Sequence, residues 1–223
     1  MKAMILAAGR GERLRPLTET TPKPLVEVAG ETLLGRHLDR LARAGFRQAV
    51  INVSHLARQI VARFGDGIPG GLAIEWSREA EPLETAGGIA QARALLGEAP
   101  FLLVNADIWC EYDFARLRAF DLGRRLAHLV LVPNPPWHAA GDFTLDAGGV
   151  GNAPAPRYTY AGISVLSPAL VAGVVAGQKA QLAPLWRAAA ERGEVSGELH
   201  AGYWNDVGTP QRLAELKARM EKR

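Results

Sequence analysis

At 223 residues and 23.9 kDa the chain can bury one sizeable core, and 48% hydrophobic against 22% charged residues is the balance of an ordinary globular protein. The net charge of +3 and pI near 9.2 come from basic residues spread along the chain, which suits an anionic small molecule at least as well as a nucleic acid; the tail "KARMEKR" reads as a solvated helix end. A lone cysteine, Cys110, excludes an intrachain disulfide and points to a reducing, cytoplasmic setting.

No apolar run approaches the roughly 18 to 20 residues of a membrane span. The opening "MKAMILAAG" has too short an apolar stretch for a signal peptide, and "RGERLR" follows it at once. Neither a membrane nor a nucleic-acid partner is expected.

"KAMILA" is a short buried strand that stops at glycine. "ETLLGRHLDRLARAG" sets Leu34, Leu38 and Leu41 on one helical face and ends at Gly45. "QAVINVS" is a strand, and "HLARQIVARFG" a helix with Leu56, Ile60 and Phe64 aligned. "LAIEWS" is the next strand, followed by a helical "TAGGIAQARALLG" and then the strands "FLLVNAD" and "AHLVLVP". Alternating strands and helices with short joins predict an α/β fold: a single-domain, Rossmann-like, open and mostly parallel sheet with helices on both faces.

Residues 134–157, rich in Gly, Pro and Ala, read as a mobile loop around a short strand, "DFTLD". "YTYAGISVLS" and "VSGELHAGYWNDVG" are strands flanking a helix near "APLWRAAAERG". "TPQRLAELKARMEKR" is a helix with Thr209 as N-cap and Pro210 at its first position. The whole chain, 1–223, is expected to be one domain, with no clear boundary where the pattern changes between 1–133 and 134–223.

Ligands of such sheets sit beyond the carboxyl ends of the strands, so "AAGRGERLR" and "NAD" carry the interest. Gly9 and Gly11 allow consecutive backbone N–H groups to face an anion, and Arg13 adds a planar charged fork. Arg10 and Arg15 flank it. Pro22 and Pro24 stiffen the chain around Lys23, and Pro24 steers Lys23 toward an extended conformation. A dinucleotide fingerprint fails because Leu14 takes its third glycine, and a Walker-type loop is absent because no Ser or Thr follows Lys23. What remains is a polyphosphate-binding mouth.

"LAAGRGERLRPLTETTPKPLVEVAG" resembles the N-terminal signature of the sugar-1-phosphate nucleotidylyltransferases, and the likeness continues through "PLETAGGIAQA", "VNAD" and "WNDVGTP". The resemblance implies the nucleotidyltransferase fold, with 1–133 as a nucleotide-binding core and 134–223 as a sugar-binding, metal-completing part, UTP and a sugar 1-phosphate as substrates, and Mg²⁺ as cofactor. It implies that Asp107 and Asp206 hold the metal, that Arg13 holds the departing pyrophosphate, and that Lys23 neutralises charge near the reacting phosphates. The alternative readings are an N-cap of a following helix for Asp107 and a turn hydrogen bond for Asp206.

Nucleotide contacts are expected from Ala7, Ala8, Gly9, Gly11 and Glu12 in the first loop, beside Arg13 and Lys23. Base contacts are also expected from "EAEPLETAGG", where the resemblance implies that Glu81 and the Thr85, Ala86, Gly87 and Gly88 backbone face the base. Leu83 falls near the place where the deoxythymidylyl branch carries a glutamine. By family position Asn105, Gly141, Asp142 and Gly162 approach the sugar, and Asn205 the phosphate or metal. Many relatives carry a Glu-Lys pair before the late strand; here the stretch is "APRYTYAG", and Arg157 is the candidate substitute.

No nucleophile–base set exists among the five scattered histidines, as expected where the attacking phosphate needs no base. Uridylyl transfer is favoured over guanylyl transfer by overall resemblance alone. Another sugar 1-phosphate, of mannose, heptose or N-acetylglucosamine type, and a non-catalytic nucleotide-sugar sensor stay open. The chain is expected to be a monomer.

Overall fold

The computed structural model describes residues 1–154 and 156–222. Its centre is a ten-stranded sheet in the order Thr144–Asp146, Gly149–Gly151, Val195–Leu199, Ala127–Val132, Thr159–Leu166, Phe101–Asn105, Ala3–Leu6, Gln48–Val53, Leu72–Arg78, Gly67–Ile68. All but three of these strands run in one direction; Thr159–Leu166, Gly149–Gly151 and Gly67–Ile68 are reversed. The sheet is therefore mixed but mostly parallel, with helices on both faces.

Side-chain alternation along each strand splits the core in two. Ala3, Ile5, Leu102 and Val104 face the helices Leu33–Arg43 and Ala57–Phe64, where Leu34, Leu38, Leu41 and Ile60 are fully buried. Met4, Leu103, Leu129 and Leu131 face the other way, onto Ala86, Ile89, Leu96, Trp186 and Ala189 of the helices Glu84–Gln91, Arg93–Leu96 and Ala183–Glu191. The "TAGGIAQARALLG" helix is in fact two short ones, parted at Ala92.

A third, smaller cluster matters most for the site. Leu14, Val26, Val28, Leu33, Trp109, Val207, Leu213 and Leu216 pack together, away from the main sheet. It is built from the glycine loop, the turn after Lys23, and two elements that read weakly in the sequence. One is the antiparallel ribbon Ile108–Cys110 with Trp204–Asp206; the other is the hairpin Glu27–Val28 with Glu31–Thr32. The helix Pro210–Glu221 closes the cluster, capped by the Thr209 hydroxyl, which accepts from the Arg212 amide at 3.3 Å.

Residues 134–157 hold a hairpin, Thr144–Asp146 with Gly149–Gly151, rather than one strand. No helix starts at Asp107: the strand Ile108–Cys110 follows it directly, so the N-cap alternative is removed. Among the described residues no helix is long and apolar enough to cross a membrane.

Candidate active site

From Ala3–Leu6 the chain winds through Gln48–Val53 to Leu72–Arg78 on one side, then returns to place Phe101–Asn105 on the other. The crevice at that reversal is where an open α/β sheet receives ligands. A cleft of about 580 Å³ opens there. Ala7, Ala8, Gly9, Gly11, Glu12, Arg13, Lys23, Thr85, Asn105 and Asp107 all line it.

The glycine loop is held in one shape. Gly11 has φ +65°, and a Cβ there would lie 2.9 Å from Thr18 Cγ2 and 3.2 Å from Lys23 Cβ. Only glycine meets both demands without strain. The Thr18 hydroxyl donates to the Gly11 carbonyl at 2.8 Å, and Leu14 plugs into the third cluster.

Lys23 opens the short 3₁₀ turn Lys23–Leu25 and is not extended; Pro22 is the extended residue, at φ −63° and ψ 140°. The hydrogen bonds from Leu25 N to Pro22 O, at 2.8 Å, and from Val26 N to Lys23 O, at 3.0 Å, override the steric bias that Pro24 imposes. The turn aims the ammonium at Asp107, 2.5 Å from Oδ2.

Asp206 reaches the same place from almost a hundred residues downstream. It pairs with Ile108 across the ribbon, and the Val207 amide donates to the Asp107 carbonyl at 2.8 Å. Its own carboxylate is engaged by Arg212. Arg212 in turn lies under the exposed ring of Trp137, 4.9 Å from the centroid. Arg13 is exposed and makes no hydrogen bond or ion pair among the described residues; its guanidinium comes within 3.1 Å of where a Gly208 Cβ would stand.

These charges set the two acids apart. Burial pushes the Asp107 carboxyl up, but the Lys23 ammonium, its hydrogen bond and Arg13 outweigh that and hold it below the usual carboxylate value. Asp206 is raised: burial and the neighbouring Asp107 charge exceed the pull of Arg212. The pair is a site of concentrated, partly neutralised charge that a divalent cation and phosphates would complete.

A buried relay ties the two lips of the cleft together. The Ala7 amide donates to Asn52 Oδ1 at 2.8 Å, Asn52 Nδ2 donates to Glu79 Oε1 at 2.7 Å, and the Leu83 amide donates to Glu79 Oε2 at 2.9 Å. Asn52 and Glu79 also line the cleft, with Pro82, Glu84 and Gly208. Glu79, Pro82 and Glu84 fall within the stretch "EAEPLETAGG" expected to face the base, whereas Asn52 and Gly208 were not singled out, although Asn52 is a polar residue near the end of an apolar strand on the ligand side.

Asp206 and the remaining expected contacts lie outside the cleft lining. Glu81 is exposed and paired with Lys179 at 2.6 Å, while Ala86 and Gly87 are buried, their amides donating to the Ala180 carbonyl. Gly162, at φ +78°, lies where the strand Thr159–Leu166 shifts register, and a Cβ there would crowd Ile108 and Asn105. Gly141 packs on Asn134 and Arg157, and Asp142 accepts from His138 at 3.0 Å and from the Tyr160 amide at 2.8 Å. The Arg157 fork donates to the Ala153 and Asn152 carbonyls. Asn205 is buried with its Oδ1 unpartnered.

A nucleotidyl transferase family model matches residues 2–140 of this sequence. The chain belongs to the nucleotidyl transferase family. Among curated relatives this nucleotidyl transferase is 49% identical to the N-acetylmuramate alpha-1-phosphate uridylyltransferase of Neisseria meningitidis serogroup B, over 98% of this chain and 97% of the relative. It is 38% identical to the protein of the same name from Caulobacter vibrioides, over 98% and 96%. A Bacillus anthracis structure crystallised with sucrose shares the fold at a TM-score of 0.87 and 18% identity, over 98% of this chain and 94% of that one.

Proposed function

We propose that this nucleotidyl transferase moves a uridylyl group from UTP to N-acetylmuramic acid α-1-phosphate, releasing UDP-N-acetylmuramic acid and pyrophosphate. The observation that supports a nucleotidyl transfer is the Lys23–Asp107 pair in the lining of the glycine-loop cleft, with Asp206 brought next to Asp107 by the ribbon. The sugar and the base rest on similarity to the two named relatives along nearly the whole chain. The natural setting of this chemistry is the cytoplasmic reuse of peptidoglycan sugars.

The attacking sugar phosphate has a second pKa near 6, about that of other phosphate monoesters, and is largely dianionic at neutral pH. No general base is required. One of its oxygens bonds to the α-phosphorus of UTP as the bond to the β-phosphate oxygen breaks, and pyrophosphate takes away the electron pair. The protein's task is alignment and charge neutralisation. Backbone amides of the Gly9–Gly11 loop and the free guanidinium of Arg13 cradle the triphosphate tail and then the pyrophosphate. Lys23, stiffened by its turn, offsets negative charge at the reacting phosphates.

Magnesium is bound by one or two carboxylates plus substrate phosphates rather than by a protein cage, and the donor set here fits that habit. Among the described residues no cluster of three or more His, Cys, Asp or Glu could hold a metal alone. Asp107 and Asp206 would hold Mg²⁺, which neutralises phosphate charge when bound.

Purified protein given each of the four ribonucleoside triphosphates with a panel of sugar 1-phosphates tests the reading through pyrophosphate release. UTP with N-acetylmuramic acid α-1-phosphate is expected to be the best pair. A clear GTP preference overturns the uridylyl assignment, and no release with any pair overturns catalysis in favour of a sensor.

A further inference from the structure

Four non-glycine residues adopt left-handed backbone angles among the described residues: Ala29, Leu56, Glu84 and Ala147. Ala29 and Ala147 turn the corners of two hairpins, and Leu56 precedes the helix Ala57–Phe64. Glu84, at φ +60°, is the one that lines the cleft. Such angles strain any residue with a Cβ, and glycine would adopt them freely.

The surroundings enforce the geometry. The Leu83 amide is held by Glu79, the Ala180 amide donates to the Leu83 carbonyl at 3.1 Å, and the Ala180 carbonyl accepts from Ala86 at 2.9 Å and Gly87 at 3.1 Å. Strain maintained at a ligand-facing position is a mark of use.

The chemistry narrows that use. Glu84 is exposed, and its carboxylate makes no hydrogen bond or ion pair among the described residues, unlike Glu79 and Glu81 on the same segment. A free carboxylate only accepts hydrogen bonds and repels phosphate. In a polyphosphate cleft it therefore belongs to the nucleoside end. Uracil offers one imide N–H set between two carbonyls, so a carboxylate there would press its second oxygen against a lone pair. The ribose 2′- and 3′-hydroxyls are adjacent donors that can meet both oxygens at once.

We propose that Glu84 grips the ribose diol and thereby selects ribonucleotides over deoxyribonucleotides. This rests on the reading that the cleft takes a uridine nucleotide; with guanine, whose adjacent N1–H and 2-amino donors would also meet both oxygens, the ribo-to-deoxy ratio decides between ribose and base.

Calorimetric binding of UTP, 2′-deoxy-UTP, GTP and 2′-deoxy-GTP to the native chain, Glu84→Gln and Glu84→Gly decides it. The native chain is expected to favour the ribo form of its preferred nucleotide by about 10- to 100-fold, the worth of a hydrogen-bonded carboxylate. Glu84→Gly should bring that ratio close to one while raising Tm by about 2–4 °C, because the strain is gone. Glu84→Gln should land between. An unchanged ratio in both variants overturns the proposal, as does an equal loss for ribo and deoxy forms, which would move the contact to the base. A GTP preference would overturn the uridylyl reading, and the ratio of GTP to 2′-deoxy-GTP would still decide for or against Glu84.

Discussion

Asn52→Ala removes the middle of the relay that joins the glycine loop to the segment bearing Glu84. Two hydrogen bonds go with it. The Ala7 amide, in a residue only 4% exposed, is left without a partner, at a cost of about 1–3 kcal/mol. The bond to the Glu79 carboxylate is worth about 1.5–3 kcal/mol more. Because the two losses share one side chain, roughly 3–5 kcal/mol together is reasonable. For a chain of this length that is a fall in Tm of about 6–20 °C. The loop carrying Ala7 to Gly11 also loses its tether, so KM for the triphosphate should rise and kcat/KM fall about ten-fold or more. Thermal denaturation and initial rates at low triphosphate measure both. Asn52→Asp is a useful companion: it restores an acceptor for Ala7 but sets a second carboxylate against Glu79, so it should recover little. A shift in Tm below about 2 °C, with KM unmoved, would refute the idea that this relay shapes the site.

Lys23→Ala should cut turnover at least about ten-fold with an unchanged circular dichroism spectrum, since Lys23 sits on an ordered turn and, among the described residues, its ammonium bonds only to Asp107; near-native turnover would remove it from the mechanism. Gly11→Ala forces a Cβ into a left-handed residue 2.9 Å from Thr18 Cγ2, and should cost about 1–2 kcal/mol or more of stability while weakening triphosphate binding. Equal Tm and equal binding would show that the loop tolerates a different shape. His37 is buried, and burial together with Arg40 lowers its pKa to about 3. The unfolded chain then binds the extra proton first, so acid favours unfolding, and stability should fall by about 2 kcal/mol between about pH 7 and pH 5. His37→Met should flatten that slope; the same slope in both proteins would mean that another group controls it.

Much of this architecture lies open in local pattern. Apolar strands buried on both faces read directly from "KAMILA", "QAVINVS" and "FLLVNAD", and a glycine stop and a Thr–Pro cap mark the helices Leu33–Arg43 and Pro210–Glu221. The glycine loop and Lys23 were legible for the same reason, as local backbone chemistry. What escaped depends on distant partners. Ile108–Cys110 is too short to announce itself as a strand, and its partner Trp204–Asp206 lies almost a hundred residues on. Asn52 and Glu79 are ordinary polar residues until the parallel register sets Asn52 beside Leu6. Lys23 is extended by steric rule and turned by hydrogen bonds that only the folded loop provides. Arg157, attractive as a loop cation, proves to be occupied by two nearby carbonyls.

The ribbon that unites Asp107 with Asp206 has a bearing on when the chain acquires its chemistry. A nascent polypeptide halfway through synthesis would already own the glycine loop, the lysine turn and the first acid. It would lack the second, along with Val207 and Leu213, which anchor the glycine loop's Leu14 from below. The packing that steadies the glycine loop therefore depends on residues synthesised about a hundred positions after Asp107.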